Sequence, residues 1–256
     1  MRIAARLLFA PLLLLPFCAA NAATVIHAGA LIDGKADAAA GASTLIVDSG
    51  RITAVLEGHR AAQAGDTLID LSDHTVLPGL IDMHTHLTSQ LGRGTYVERF
   101  RLSEADYALQ ASTNARRTLH AGFTTVRDLG DQYNVSVALR NAIARGSVTG
   151  PRILTAAKAI GTTGGHADPT NGWAPRIAGN PGPKEGVVNS VDDAAKAVRQ
   201  RYKDGADLIK ITATGGVLSL AKNGQNPQFS EAEVAAVVAT AKDYGFHVAA
   251  HAHGAE

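Results

Sequence analysis

The pattern of apolar and polar residues changes character along the chain. From Thr24 to about Thr75, short apolar runs alternate with clusters of Gly, Asp and Ser, which is typical of strands joined by turns. Asp48-Ser49-Gly50 has the composition of a hairpin turn. The pattern therefore predicts a small β-domain over residues 23–75, followed by a larger domain over residues 76–256.

The larger domain alternates apolar runs of strand length with helical patterns. The stretch Val76–Leu87 begins with a turn signal and contains the first of these runs. Four more follow at Phe123–Leu129, Arg152–Ala157, Asp207–Thr212 and Phe246–His251. Strands separated by helices imply parallel βαβ units. No glycine-rich dinucleotide fingerprint follows the first strand, so a (β/α)8 barrel of the TIM type is favoured over a doubly wound sheet. The chain would hold about five of its βα units.

Helix signals lie between these strands. Ser103, Ser190 and Ser230 are each followed three residues later by an acidic residue, which is the pattern of a capping box. A further helix is predicted from Val135 to Arg145, and glycines end each of these helices. The segment from Gly161 to Gly186 is rich in Gly and Pro and too long for a passive connection, so it is a candidate active-site loop.

The N-terminal residues have the pattern of a secretory signal. Two arginines precede the apolar run Leu7–Phe17, and Ala20-Asn21-Ala22 is a small-x-small cleavage pattern. The run is too short for a comfortable membrane span. We predict cleavage of residues 1–22, a mature N-terminus at Ala23 and a periplasmic or secreted protein without membrane contact. An uncleaved anchor is the alternative.

The composition of the chain excludes some classes of binding partner. The net charge is +1 with both signs mixed, so there is no basic stripe for nucleic acid. Cys18, the only cysteine, lies inside the predicted signal, and the mature protein would therefore have no disulfide. The charge and composition do not determine the oligomeric state, so a homo-oligomer stays open.

Two histidines end the first predicted strand. Side chains two residues apart share one face of a strand, so His84 and His86 would project side by side. Neutral imidazoles paired in this way suit zinc. The alternative is a pair of surface histidines, but the apolar run before them favours burial, where unpartnered rings are costly.

Lys210 is flanked by Leu208, Ile209 and Ile211 in the fourth strand, which predicts burial and a lowered pKa. A neutral lysine can take up carbon dioxide and become a carbamate that bridges two metal ions. Alternatively, the lysine reaches solvent or pairs with a carboxylate. His251 ends the fifth strand and is a candidate ligand, whereas His253 would lie in the loop that follows.

Together these segments resemble the amidohydrolase superfamily, and most of all its branch of Xaa-Pro dipeptidase-like and Xaa-Lys/Arg carboxypeptidase-like enzymes, which is related to imidazolonepropionase. The resemblance rests on four motifs in order: Leu77–His86, Gly122–Asp128, Ile209–Ile211 with Thr214–Val217, and Ala250–Gly254. It covers the chain from about Val25 onward and identifies the N-terminal part of such an enzyme.

The resemblance implies a barrel with a β-sandwich built from both chain ends, and a centre of two divalent metal ions, most often zinc. His84 and His86 would bind the first ion, a Lys210 carbamate would bridge, and His251 would bind the second. His166, in Gly164-Gly165-His166, matches a loop histidine that faces substrate.

The family pattern also includes a metal histidine after the sixth strand and a catalytic aspartate after the eighth. No residue up to Glu256 matches either, so the catalytic residue is unknown. We expect the 256-residue chain, expressed alone, to be poorly soluble, weak in zinc and inactive. A barrel with five strands would leave apolar strand edges open.

The resemblance implies a binuclear zinc hydrolase in which a hydroxide bridging the metals attacks an amide bond of a dipeptide or N-acyl amino acid. One alternative is a cyclic-amide hydrolase or deaminase of the same superfamily, although Lys210 argues against the single-metal deaminases. The other is a non-catalytic metal-binding fragment or scaffold. The side-chain preference is open.

Overall fold

The computed structural model describes residues 22–217, 219–220 and 223–254. Residues 1–21 of the predicted signal peptide therefore lie outside the described part. The chain divides into two compact units between Pro78 and Gly79, and each is described by itself. Within the described ranges, no helix combines the length and apolar character needed to cross a membrane.

The first unit contains a four-stranded sheet in the order β3-β2-β1-β4. Its strands are β1 (Thr24–Leu31), β2 (Ser43–Asp48), β3 (Arg51–Glu57) and β4 (Thr67–Val76). β2 runs antiparallel to β1 and β3, whereas β4 runs parallel to β1. Ser49 and Gly50 have φ values of 51° and 75°, which confirms the predicted hairpin turn. The described part of this unit forms one sheet, and the β-sandwich stays a prediction.

The second unit contains five parallel strands that follow chain order. They are β5 (Leu80–Thr85), β6 (Phe123–Asp128), β7 (Arg152–Thr155), β8 (Ile209–Thr212) and β9 (Val248–His251). β5, β6 and β7 pair in parallel, as do β8 and β9. The two sets are joined where the Asp207 amide donates to the Thr155 carbonyl at 2.7 Å and Ile160 pairs with Ile211. The prediction of an α/β fold with parallel strands is confirmed, and barrel closure stays a prediction.

The predicted turn signal at the start of Val76–Leu87 lies between two strands. β4 ends at Val76 and β5 begins at Leu80. Pro78 between them has no N–H to donate to a sheet. Gly79 lies so close to Thr124 that a Cβ would be 2.1 Å from its Oγ1. The proline and the tight approach therefore separate β5 from the strand before it.

Six helices occur among the described residues of this unit: α1 (Thr95–Arg101), α2 (Glu104–His120), α3 (Val135–Ala144), α4 (Pro175–Ala178), α5 (Val191–Asp204) and α6 (Glu231–Asp243). Ser103, Ser190 and Ser230 are the N-caps of α2, α5 and α6, as predicted. α1 and α4 are not predicted by the sequence pattern. Their N-cap residues, Gly94 and Ala174, form no side-chain cap, so the local signal is weak.

Small and branched apolar residues fill the space between strands and helices. Ala111 and Ala115 of α2 pack on Val126 of β6, and Val198 of α5 belongs to the cluster that surrounds Ile209 of β8. These side chains are buried. The packing holds the C-terminal ends of the parallel strands at fixed positions, which is where ligands bind in such folds.

A buried arginine joins the two ends of the predicted active-site loop. Arg201 of α5 is fully buried, and its guanidinium donates to the carbonyls of Lys158 at 3.2 Å and Lys184 at 2.7 Å. Its Nε lies 3.3 Å from the carboxylate of Asp204. We call this contact the Arg201 clamp. It fixes the anchor points of the loop on a helix of the packed core.

Candidate active site

The paired histidines lie where β5 ends. The His84 and His86 rings are 5.3 Å apart between centroids and inclined by 62°. His86 Nδ1 lies 2.9 Å from the Gly130 carbonyl. Because a carbonyl oxygen can only accept, Nδ1 carries the proton and Nε2 keeps its lone pair. A ring nitrogen tied to the backbone while the other is left for an ion is the usual arrangement of metal-binding histidines.

Lys210 is buried in the centre of β8, with 3% of its surface exposed, so its predicted burial is confirmed. Burial lowers the pKa of Lys210 to about 8, and the positive charge of Arg127 acts in the same direction. The Arg127 guanidinium is itself held by its Nε, which donates to the Met83 carbonyl at 2.7 Å. The neutral fraction of Lys210 near neutral pH is therefore larger than for an exposed lysine, and carbamate formation requires this neutral form.

The charges of these groups act on one another. Burial lowers the pKa of His84, and the positive charges of Lys210, His86, Arg127 and His251 lower it further. His84, Lys210 and His251, from β5, β8 and β9, therefore lie close enough together for their charges to interact.

His251 is the last residue of β9. Its Nε2 lies 2.8 Å from the Gly215 carbonyl, and its ring stacks on His166 with centroids 4.5 Å apart. His253 lies in the loop that follows, where its backbone N–H donates to Thr214 Oγ1 at 2.9 Å. His251 therefore belongs to the site from the strand end, and the predicted loop position of His253 is confirmed.

The loop that carries His166 is held by polar side chains. Asp168 accepts from the Gly164 N–H at 2.8 Å and from the N–H and hydroxyl of Thr170 at 2.9 and 2.8 Å. Gln228 Oε1 accepts from the His166 N–H at 2.9 Å. The loop geometry is therefore fixed from within and by the facing segment.

The His166 ring is partly enclosed between His251 and the backbone of Gly216. Burial lowers the pKa of His166, and the charges of His251, Lys210 and His86 lower it further. Its Nδ1 is buried and has no hydrogen-bond partner within the described residues. A neutral ring with one unsatisfied nitrogen suits a contact with a polar group of a ligand.

Sequence reasoning assigned no role to Asp128, the last residue of β6. The carboxylate is fully buried. Burial raises its pKa to about 7, against the hydrogen bond from Leu87. The signal was an acidic residue ending an otherwise strand-like run, which sequence alone does not distinguish from a surface position. Gln228 was missed because its contact with His166 joins residues far apart in the chain.

The chemical types of the donors suit zinc once Lys210 is counted. Taken alone, the His, Cys, Asp and Glu side chains of the described ranges include no group of three that could hold a metal ion. The site instead combines a histidine pair, a buried lysine with a lowered pKa and a third histidine at a neighbouring strand end. Imidazole nitrogen and carbamate oxygen are donors that zinc accepts.

Comparison with known proteins identifies the family of the chain. A profile of the amidohydrolase family matches residues 75–256. The chain is similar to ochratoxinase of Aspergillus niger, with 30% identity over 249 residues that cover 90% of this chain and 50% of that enzyme.

Two solved structures share the fold. A Xaa-Pro dipeptidase with methionine bound in its active site has 50% identity and a TM-score of 0.85, over 91% of this chain and 57% of that one. A prolidase in complex with N-methylphosphonate-L-proline has 30% identity and a TM-score of 0.77, over 90% of this chain and 56% of that one. The chain spans about half the length of these relatives.

Proposed function

The chain belongs to the amidohydrolase family, and on that basis we propose that the protein is a metal-dependent hydrolase of dipeptides or N-acyl amino acids. The observation that carries the proposal is the setting of Lys210. This lysine is buried at the centre of a parallel strand, has a lowered pKa and lies among histidines from two other strands. A structural lysine in such a place would need a carboxylate partner.

The residues that would hold the metal ions come from three strands, β5, β8 and β9. His84 and His86 would bind one ion, His251 the other, and Lys210 as a carbamate would offer one oxygen to each. Bound zinc would polarise the amide carbonyl and make water a nucleophile near neutral pH. The Gly130 carbonyl supports this role, because it holds His86 with Nε2 free.

We assign substrate contact to His166. Its ring is neutral near neutral pH because its pKa is lowered, and its buried Nδ1 has no partner among the described residues. A substrate polar group would satisfy that nitrogen. Support for an amino-acid-like substrate comes from two structural relatives, one with bound methionine and one with a phosphonate derivative of proline.

The test uses protein expressed from its complete gene, stripped of metal and reloaded with zinc. Hydrolysis of a panel of Xaa-Pro, Xaa-Lys, Xaa-Arg and N-acyl amino acid substrates is followed by release of the C-terminal residue. We expect activity that depends on zinc and is lost in Lys210→Ala. Lys158→Ala, which removes a lysine outside the proposed ligand set, is the control.

Two results would count against the proposal. Zinc-independent hydrolysis would remove the metal from the chemistry. Deamination or ring opening of a cyclic amide, with no cleavage of any dipeptide or N-acyl amino acid, would move the protein to another branch of the family.

A further inference from the structure

Asp128 is a buried carboxylate that the proposed chemistry does not use. It ends β6, and none of its surface is exposed. Burying an ionised carboxylate is costly unless hydrogen bonds compensate. Both oxygens have such bonds: Oδ2 accepts from the Leu87 N–H at 2.7 Å, and Oδ1 accepts from the Gly130 N–H at 3.2 Å.

These two contacts lie on either side of His86. Leu87 is the next residue along the chain, so the bond to its N–H fixes the backbone that carries the imidazole. Gly130 supplies the carbonyl that accepts from His86 Nδ1 at 2.9 Å. One carboxylate thus holds both the histidine and the group that orients it.

Gly130 can form this link because of its unusual backbone. Its φ is 145°, a conformation that favours glycine, and a Cβ there would lie 3.3 Å from the Cβ of Ala159. The turn directs its N–H to Asp128 and its carbonyl to His86. Without the Asp128 carboxylate, the Gly130 N–H would lose its hydrogen-bond acceptor, and the Gly130 carbonyl would no longer be held in one direction.

We propose that Asp128 is a positioning residue that fixes the tautomer and direction of His86 through Gly130 and Leu87. The Nδ1–H tautomer leaves Nε2 as the acceptor nitrogen. The value of that arrangement for metal binding rests on the proposed function, but the hydrogen-bond relay itself does not. Asp128 need not touch substrate or metal to act in this way.

The relay can be tested without metal. In protein labelled at histidine, NMR of the ring nitrogens reports the tautomer of each histidine, and His86→Gln identifies the signal. We expect the Nδ1–H tautomer for His86 in the wild type. In Asp128→Asn, the side-chain NH₂ group would face a backbone N–H that now donates to Asp128. One of these hydrogen bonds is lost, and the Gly130 carbonyl no longer holds the Nδ1 proton of His86. We therefore expect a mixture of His86 tautomers or the Nε2–H form.

Asp131→Asn is the matched control. Asp131 is also buried, lies three residues away and accepts from the N–H groups of Tyr133, Val135 and Ser136 at the start of α3. Its loss should lower stability without changing the His86 tautomer. An unchanged tautomer in Asp128→Asn, or an equal change in both variants, would overturn the proposal.

Zinc titration separates this inference from the proposed function. We expect Asp128→Asn to weaken zinc binding about 10- to 100-fold, as loss of an orienting partner does, with no such change in Asp131→Asn. A wild type that binds no zinc would refute the proposed function while the tautomer still tests the relay. If Asp128→Asn does not fold, the His86 tautomer of the metal-free wild type remains as the test. Finding the Nε2–H form there would overturn the proposal.

Discussion

Replacing Gly216 by alanine is expected to move His166 off its stack with His251. A Cβ on Gly216 would lie 2.6 Å from Cε1 and 2.8 Å from Nδ1 of His166. Carbon atoms in contact stay about 3.5 Å apart. The imidazole must therefore move by about 1 Å, and the ring has little room to do so while it remains stacked at 4.5 Å.

A displacement of this size has a large effect on a group that contacts substrate. Misplacement by about 1 Å can reduce a rate about 10²-fold. We expect Gly216→Ala to lower kcat/KM by about 10- to 100-fold with zinc content unchanged, because His166 is outside the proposed ligand set. The assay is dipeptide hydrolysis by protein expressed from its complete gene, combined with metal analysis of the same samples.

The control is Gly224→Ala in the facing segment. A Cβ at Gly224 would lie 3.5 Å from the Gly216 carbonyl carbon, which is an ordinary contact. This variant should keep wild-type kinetics. Wild-type kcat/KM in Gly216→Ala, or equal losses in both variants, would refute the assignment of His166 to substrate; loss of zinc would move His166 into the ligand set.

Four further expectations concern the same protein. Lys210→Ala should lose the bridged pair, so that metal analysis no longer finds about two zinc ions per chain; an unchanged content would contradict the assignment. His166→Ala should weaken substrate handling and leave metal content intact, as kinetics and metal analysis on one preparation would show. Burial raises the pKa of Asp128 in the folded protein to about 7. The stability that the protonated Asp128 side chain contributes is therefore complete below about pH 4 and is lost as the pH rises through 7. Between these limits, the unfolding free energy of the wild type should fall by up to about 4 kcal/mol more than that of Asp128→Asn, and parallel pH profiles of chemical denaturation would contradict this. N-terminal sequencing of exported protein should begin at Ala23, whereas an intact Met1 on cytoplasmic protein would show that the signal prediction is wrong.

Local signals predicted the elements of the second unit well. The caps at Ser103, Ser190 and Ser230 depend on residues three positions apart, which a sequence shows directly. Apolar runs also located all five parallel strands. The turn before β5 could also be predicted, because a proline followed by a glycine signals it locally.

The candidate site also has residues that the sequence predicted and contacts that it did not. His84, His86, Lys210 and His251 could be predicted because each ends or interrupts an apolar strand, and parallel strands bring their ends together. The contacts that support these residues could not be predicted. The hydrogen bond between Asp128 and Leu87 joins residues 41 positions apart, and no local sequence pattern indicates such a pair.

The Arg201 clamp bears on how such an enzyme could acquire new substrates. Its bonds go to backbone carbonyls at Lys158 and Lys184. Every amino acid, proline and glycine included, offers a backbone carbonyl at these positions. The residues inside the loop can therefore change without changing how its ends are attached to α5. Lengthening a loop between fixed ends adds only about 0.6 kcal/mol of closure entropy for each doubling. Residues 174–181 are a candidate segment for grafting and laboratory evolution, since their exchange leaves the contacts of Thr170 and Asn171 that hold the His166 loop in place.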